Sequence, residues 1–184
     1  MPGDLTVLDR SFPLASCELF AHLDDHGLRW GVECRCAEAE FLDECVRPRA
    51  DCDAVFHSSR GSAPWRSLFP RAALVPDPPD RDLDPSGVLK VFDHCAIRHS
   101  RLELSTFGDG VSCELVWTGR CDVLASELYD RDLPFRLVGT ATFVGLLNGK
   151  DSRAVGVERY GPYLDLSGFD FEVQGNGVTR FAPR

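Results

Sequence analysis

Leu102-Glu-Leu-Ser-Thr-Phe-Gly-Asp-Gly-Val-Ser-Cys-Glu-Leu-Val-Trp117 decides the fold, because its letters carry both a turn and a register. Asp109-Gly110 lies between two alternating apolar runs. A type I′ turn needs positive φ at both central residues, which Asp-Gly supplies. A two-residue turn there sets Leu104 opposite Leu115, Leu102 opposite Trp117 and Thr106 opposite Cys113, all on one face. Glu103, Ser105, Ser112, Glu114 and Thr118 then point the other way. A three-residue Gly-Asp-Gly loop would instead set Leu104 against Glu114. A one-residue slip carries every side chain of a strand to the opposite face, so burial selects the two-residue turn.

The same alternation runs outward from this hairpin. Cys17, Leu19, Ala21 and Leu23 alternate with polar residues, as do Leu28, Trp30, Val32, Cys34 and Cys36 after Asp24-Asp-His-Gly27. Their pairing sets Leu23 on Leu28, Ala21 on Trp30, Leu19 on Val32 and Cys17 on Cys34. Val88–His99 changes its apolar face near Ser100, which predicts a bulge or corner. Pro134–Leu147 is apolar on both sides and reads as a central, doubly covered strand. Asn148-Gly149 reads as a turn into a strand over Ala154–Tyr160. Phe169, Phe171 and Val173 alternate before Asn176-Gly177, where the simplest register sets Phe181 against Glu172. Residues 37–47 form the one predicted helix, with Phe41, Leu42, Cys45 and Val46 on a stripe and Pro48 as its stop. Trp65, Leu68 and Phe69 are expected to dock as a short turn. The four prolines between Pro76 and Pro85 make 76–87 an irregular connection. The fold class is therefore mainly β: about eight or more mostly antiparallel strands, in a β-sandwich or partly closed barrel, with one short helix near 37–47.

The chain has 184 residues, a length that suits one domain over 1–184 with a sizeable core. Its formal charge of −9 argues against nucleic acid or an anionic membrane as the main partner, since both attract basic surfaces. All but two of the 20 basic residues are arginine, the lysines being Lys90 and Lys150. No stretch approaches the roughly 20 apolar residues of a membrane span. Leu14-Ala-Ser-Cys17 imitates a lipoprotein cleavage box, but the residues before it lack the basic start and apolar segment of a signal peptide. The expected location is the cytoplasm.

Eight cysteines (17, 34, 36, 45, 52, 95, 113 and 121) mostly occupy apolar-face positions, where a free thiol packs as a small hydrophobe. Cys17 and Cys34 are the exception, because the register brings them together. Cys34-x-Cys36 with Cys45, Cys52 and His57 lacks the second tight pair of a zinc site, so no metal is expected. Adjacent residues on a strand face opposite ways, which makes His94 and Cys95 poor co-ligands. Asp80-x-Asp82-x-Asp84 opens like a calcium loop, but Pro85 and Val91 replace its glycine and its bidentate glutamate. Gly145–Asp151 resembles a phosphate loop, one residue short and without the metal-holding hydroxyl. No catalytic signature and no cofactor fingerprint is present.

What remains is a set of acidic loops on a β scaffold. Asp24 and Asp25 sit at a hairpin tip. Asp77, Asp80, Asp82 and Asp84 lie on the proline-stiffened connection, and Glu127, Asp130 and Asp132 precede Pro134. The expected function is a non-catalytic binding protein that engages a basic protein partner through these carboxylates, with no cofactor. Its most concrete form is an immunity-type antagonist of a bacterial toxin. Two rivals stand beside it. One is a small-molecule-binding barrel lined by Trp30, Trp117, Phe143 and Phe171. The other is an enzyme using carboxylates, or a cysteine (Cys95 or Cys121) with His94 or His99.

Overall fold

Alternating apolar residues build long strands here, and the strands close on themselves. The computed structural model describes residues 3–25, 27–58, 60–61, 64–67, 72–75, 87–107, 110–124 and 129–184. Strands β1 (Asp4–Val7), β2 (Arg10–Asp24), β3 (Gly27–Cys36), β4 (Ala39–Phe41), β5 (Glu44–Val46) and β6 (Arg49–Ser58) come first. They are followed by β7 (Ala72–Val75), β8 (Gly87–Lys90), β9 (His94–Leu104), β10 (Ser112–Leu124) and β11 (Tyr129–Leu147). Helix α1 (Arg153–Tyr160) precedes β12 (Phe169–Val173) and β13 (Thr179–Pro183).

The ring runs β1-β2-β3-β6-β8-β9-β10-β11 and returns to β1 and β2, giving a closed eight-stranded barrel with extra strands. Its seam is mixed. The early part of β11 pairs antiparallel with β1 through Leu5↔Leu137, and its later part pairs parallel with β2 through Phe143↔Leu19. Closure removes the sheet edges that a sandwich would leave open.

The register of the opening hairpin is as expected: Leu104 faces Leu115 and Leu102 faces Trp117, all four buried. Gly108 and Asp109 of the turn lie outside the described residues, and Thr106, beyond the last paired rung, is exposed. The β2–β3 pairing is also as expected at Leu23↔Leu28, Ala21↔Trp30, Leu19↔Val32 and Cys17↔Cys34. The Ser100 irregularity is real. His99 takes φ 49°, and the β9–β10 register shifts between Thr118 and Arg120.

Four local expectations are corrected. Residues 37–47 are not helical but form the β4–β5 ribbon, in which Leu42 (φ 52°) and Asp43 (φ 61°) make the tight turn. The supposed stripe does not bury together: Phe41 and Val46 pack inward, while Leu42 and Cys45 are exposed. The single α-helix among the described residues is instead Arg153–Tyr160, started by Ser152, whose side chain accepts from the Val155 amide. Along β11, Phe135, Leu137, Ala141 and Phe143 are buried while Val138 and Val144 are only half-buried, so this strand has one inner face. The face changes at Gly145 (φ 117°), where any Cβ would come within 2.1 Å of the Phe181 carbonyl oxygen. Finally, a longer loop after Val173 sets Phe181 opposite Phe171 and Glu172 opposite Arg180.

Helix α1 is pinned by a buried polar node. Asn148 is 2% exposed, and its Nδ2 donates to the Asp151 carbonyl (3.0 Å) and to Thr179 Oγ1 (3.0 Å). Tyr160 closes the helix by donating its hydroxyl to the Leu147 carbonyl, and burial pushes that hydroxyl's pKa up to about 12.

Candidate functional site

Strand direction places the predicted carboxylates. β2 and β11 run parallel where they meet, so the end of one and the start of the other lie at opposite ends of the barrel. Asp24 and Asp25 end β2, and Asp24 is ion-paired with Arg29. Asp130 and Asp132 begin β11, at the far end. Asp132 pairs with Arg120 at 2.7 Å, and its amide donates to Asp122, which holds Arg98 in a fork at 2.7 and 3.2 Å. The Arg98 hydrogen bonds hold the Asp122 carboxyl below its ordinary pKa, with the Asp132 amide adding to the effect. Asp77, Asp80, Asp82, Asp84 and Glu127 lie outside the described residues, as do Leu68 and Phe69. Among the described residues, Asp24 and Asp25 therefore do not gather with Asp130 and Asp132.

The end that carries Asp130 and Asp132 also carries the β4–β5 ribbon, because the ribbon follows the last residue of β3. The ribbon is anchored from beneath. Phe41 stacks on Phe92 (5.5 Å between centroids) and meets Phe12 edge-on (5.8 Å), and Val46 is buried beside this anchor. Glu38, Glu40, Asp43 and Glu44 are all exposed around a groove of about 470 Å³, and Leu42 stands 51% exposed at the tip. Glu38 is bound by Arg47 (2.9 and 2.6 Å), whereas Glu40, Asp43 and Glu44 form no ion pair among the described residues. The Cys45 thiol donates to Glu38. That bond, then Arg47, lowers the Glu38 pKa, and the same bond raises that of Cys45. Sequence reasoning missed this acidic surface because it placed the segment in a helix. The overlooked signal was the run Glu38–Cys45, in which only Ala39 and Phe41 turn inward.

The thiols and imidazoles named for the rival enzyme reading do not come together. Cys121 is fully buried and Cys95 nearly so, while His94 and His99 are exposed on the opposite face of the same sheet. Burial pushes the pKa values of Cys36, Cys113 and Cys121 up to about 12 and raises that of Cys95, so these thiols are not nucleophilic at neutral pH. Cys34 is spent in a disulfide with Cys17, and no three His, Cys, Asp or Glu residues gather in ligand geometry among the described residues. Leu14–Cys17, the lipoprotein-like box, is an interior piece of β2. The barrel interior is occupied by rings: Trp30 lies 5.5 Å from Phe143, Trp65 4.6 Å from Phe143, and Trp117 5.3 Å from Phe135. Phe171 is not part of that interior; it packs half-buried on Phe181, outside the ring.

A second cleft, of about 860 Å³, adjoins the ribbon's acidic groove, shares Glu38, Glu44 and Cys45 with it, and is lined also by Arg47, Arg35, Arg49 and Lys90. Val46, Val91 and Phe92 supply its apolar wall. No helix among the described residues is long and apolar enough to cross a membrane. The chain matches no known protein family, no curated protein and no solved structure.

Proposed function

We propose that this protein is a non-catalytic binding protein whose acidic β4–β5 ribbon engages a basic protein partner. The observation that carries the reading is the ribbon's construction. Its apolar residues Phe41 and Val46 are consumed in anchoring it, while its outer face presents four exposed carboxylates and the apolar tip of Leu42. Three of those carboxylates form no ion pair among the described residues, so their field is available for steering a cationic surface. Asp130 and Asp132 share this end of the barrel. In its most concrete form the partner is a toxin whose basic active site the ribbon caps, the carboxylates standing where phosphate groups would.

The test is affinity capture from the source cell with the wild-type chain and with the triple variant Glu40→Lys, Asp43→Lys, Glu44→Lys, read by mass spectrometry. A basic protein retained by the wild type and lost by the variant supports the proposal. Equal retention by both, or retention of small molecules alone, overturns it. We also place the protein in the cytoplasm; the Cys17–Cys34 pair is bonded in the structure, and because cytosolic thiol buffers oppose structural disulfides this placement requires that bond to be reduced in the cell. Alkylating the thiols at the moment of lysis reads this directly, and a pair already oxidised at that moment contradicts the cytoplasmic assignment.

A further inference from the structure

The pairing registers place four basic side chains in one row. Arg35 faces Arg49 across β3–β6, Arg49 faces Lys90 across β6–β8, and Lys90 faces His94 across β8–β9. The neighbouring row, Cys34, Ala50, Leu89 and Cys95, is buried throughout, so the period of two turns the basic row outward. Like charges directly opposite one another on a sheet are destabilising. Here part of the row is neutralised from above: Glu33 bonds Arg35 at 2.5 Å, and Asp51 bonds Arg49 at 3.0 Å. The acidic row then stops. Beyond Glu33 and Asp51 the same tier continues as Val88 and Ala96. Lys90 is left with a cation beside it and no carboxylate paired to it among the described residues.

That end of the row opens onto the cleft of about 860 Å³, which is lined also by Val46, Val91 and Phe92, by Arg47 with its partner Glu38, and by Glu44. The volume falls in the range of roughly 300–1,000 Å³ typical of small-ligand sites. A cationic row backed by one apolar wall fits an amphipathic anion better than a bare ion. We propose that this cleft binds a small organic phosphate, its phosphate group held by Lys90, beside the carboxylate-paired Arg49, and its apolar or aromatic body laid on Phe92. The cleft shares Glu38, Glu44 and Cys45 with the ribbon's acidic groove, but Lys90 and Phe92 line the cleft alone, so the proposal does not depend on the protein partner proposed above.

The experiment is calorimetric titration of the whole chain with phenyl phosphate, inorganic phosphate and phenol at one fixed ionic strength. Phenyl phosphate is expected to bind saturably with one site, more tightly than inorganic phosphate, while phenol does not bind. Lys90→Gln is expected to weaken phenyl phosphate by about tenfold or more, the size of one charge-assisted contact. Lys90→Arg retains binding. Lys150→Gln, which removes the only other lysine from the turn before α1, leaves binding unchanged. Because Lys90 is exposed and faces like charge, the unliganded Lys90→Gln protein is expected to melt no lower than the wild type, so lost binding is not lost folding. Three results would overturn the proposal: no saturable binding of phenyl phosphate, equal weakening by Lys90→Gln and Lys150→Gln, or phenol binding as well as phenyl phosphate.

Discussion

Phe41→Ala should release the ribbon and leave the barrel standing. The Phe41 side chain is 7% exposed, and burying a phenylalanine contributes about 1.5–3 kcal/mol. Its two ring contacts, with Phe12 and Phe92, add about 0.5–1.5 kcal/mol each, and the Arg10 guanidinium 5.9 Å over the ring adds a smaller share. The loss is therefore about 3–5 kcal/mol, the range found for phenylalanine truncation in cores. Apart from Val46, the rest of the ribbon is exposed or half-buried, so the loss should appear as local opening and not as global unfolding. Hydrogen exchange resolves the two. Ribbon amides with native protection, such as those across the Ala39↔Val46 pair, should exchange about two to four orders of magnitude faster. The amides of Leu19 and Val32 in the β2–β3 pairing should keep their wild-type rates. Unchanged ribbon exchange, or an equal acceleration at Leu19 and Val32, would refute the view of the ribbon as a separately anchored unit.

Two further outcomes follow from the charge and thiol environments. The Asp122 carboxyl is held below its ordinary pKa by Arg98, so it stabilises the fold above the unfolded carboxylate range near 4 and stops doing so as pH falls through the folded value. Asp122→Asn should thus cost about 1–2 kcal/mol at neutral pH in denaturant titrations, with the gap closing under acid; a gap constant across the acid range would contradict this. Cys45 is the exposed member of the six free cysteines, so it alone should be alkylated in the folded protein. Glu38→Gln removes the hydrogen bond and charge that raise its pKa, and should make that alkylation faster at mildly alkaline pH. Slower labelling, or labelling of Cys52 at the same rate, would count against the Cys45–Glu38 contact.

What could be read from the letters was whatever period two and a buried face jointly determine. Cys17 met Cys34 and Leu104 met Leu115 because only one register hides every apolar residue of both strands. The ribbon was misread because Phe41, Leu42, Cys45 and Val46 fit a helical stripe as well as they fit two short strands. Only tertiary contact with Phe12 and Phe92 decides between these readings. In α1 the error ran the other way. Val155 and Val157 favour strand, and the helix is held by the Ser152 cap and the Asn148–Thr179 node, whose members are 31 residues apart. Barrel closure was not legible, since no turn connects β2 to β11 and their parallel contact is wholly non-local. The basic row has the same cause: Arg35, Arg49, Lys90 and His94 become neighbours only once four strands are in register.

The acidic residues separate similarly. Asp24 and Asp25 looked equivalent to Asp130 and Asp132 as loop charges, yet they occupy opposite ends of the barrel, so a single compact footprint cannot cover both. The most direct measurement is hydrogen exchange on the complex between this protein and its captured partner. Binding through the ribbon predicts new protection across residues 39–46, with unchanged exchange at the Asp24-Asp25 turn. Protection at that turn, with the ribbon exchanging as in the free protein, would contradict the account.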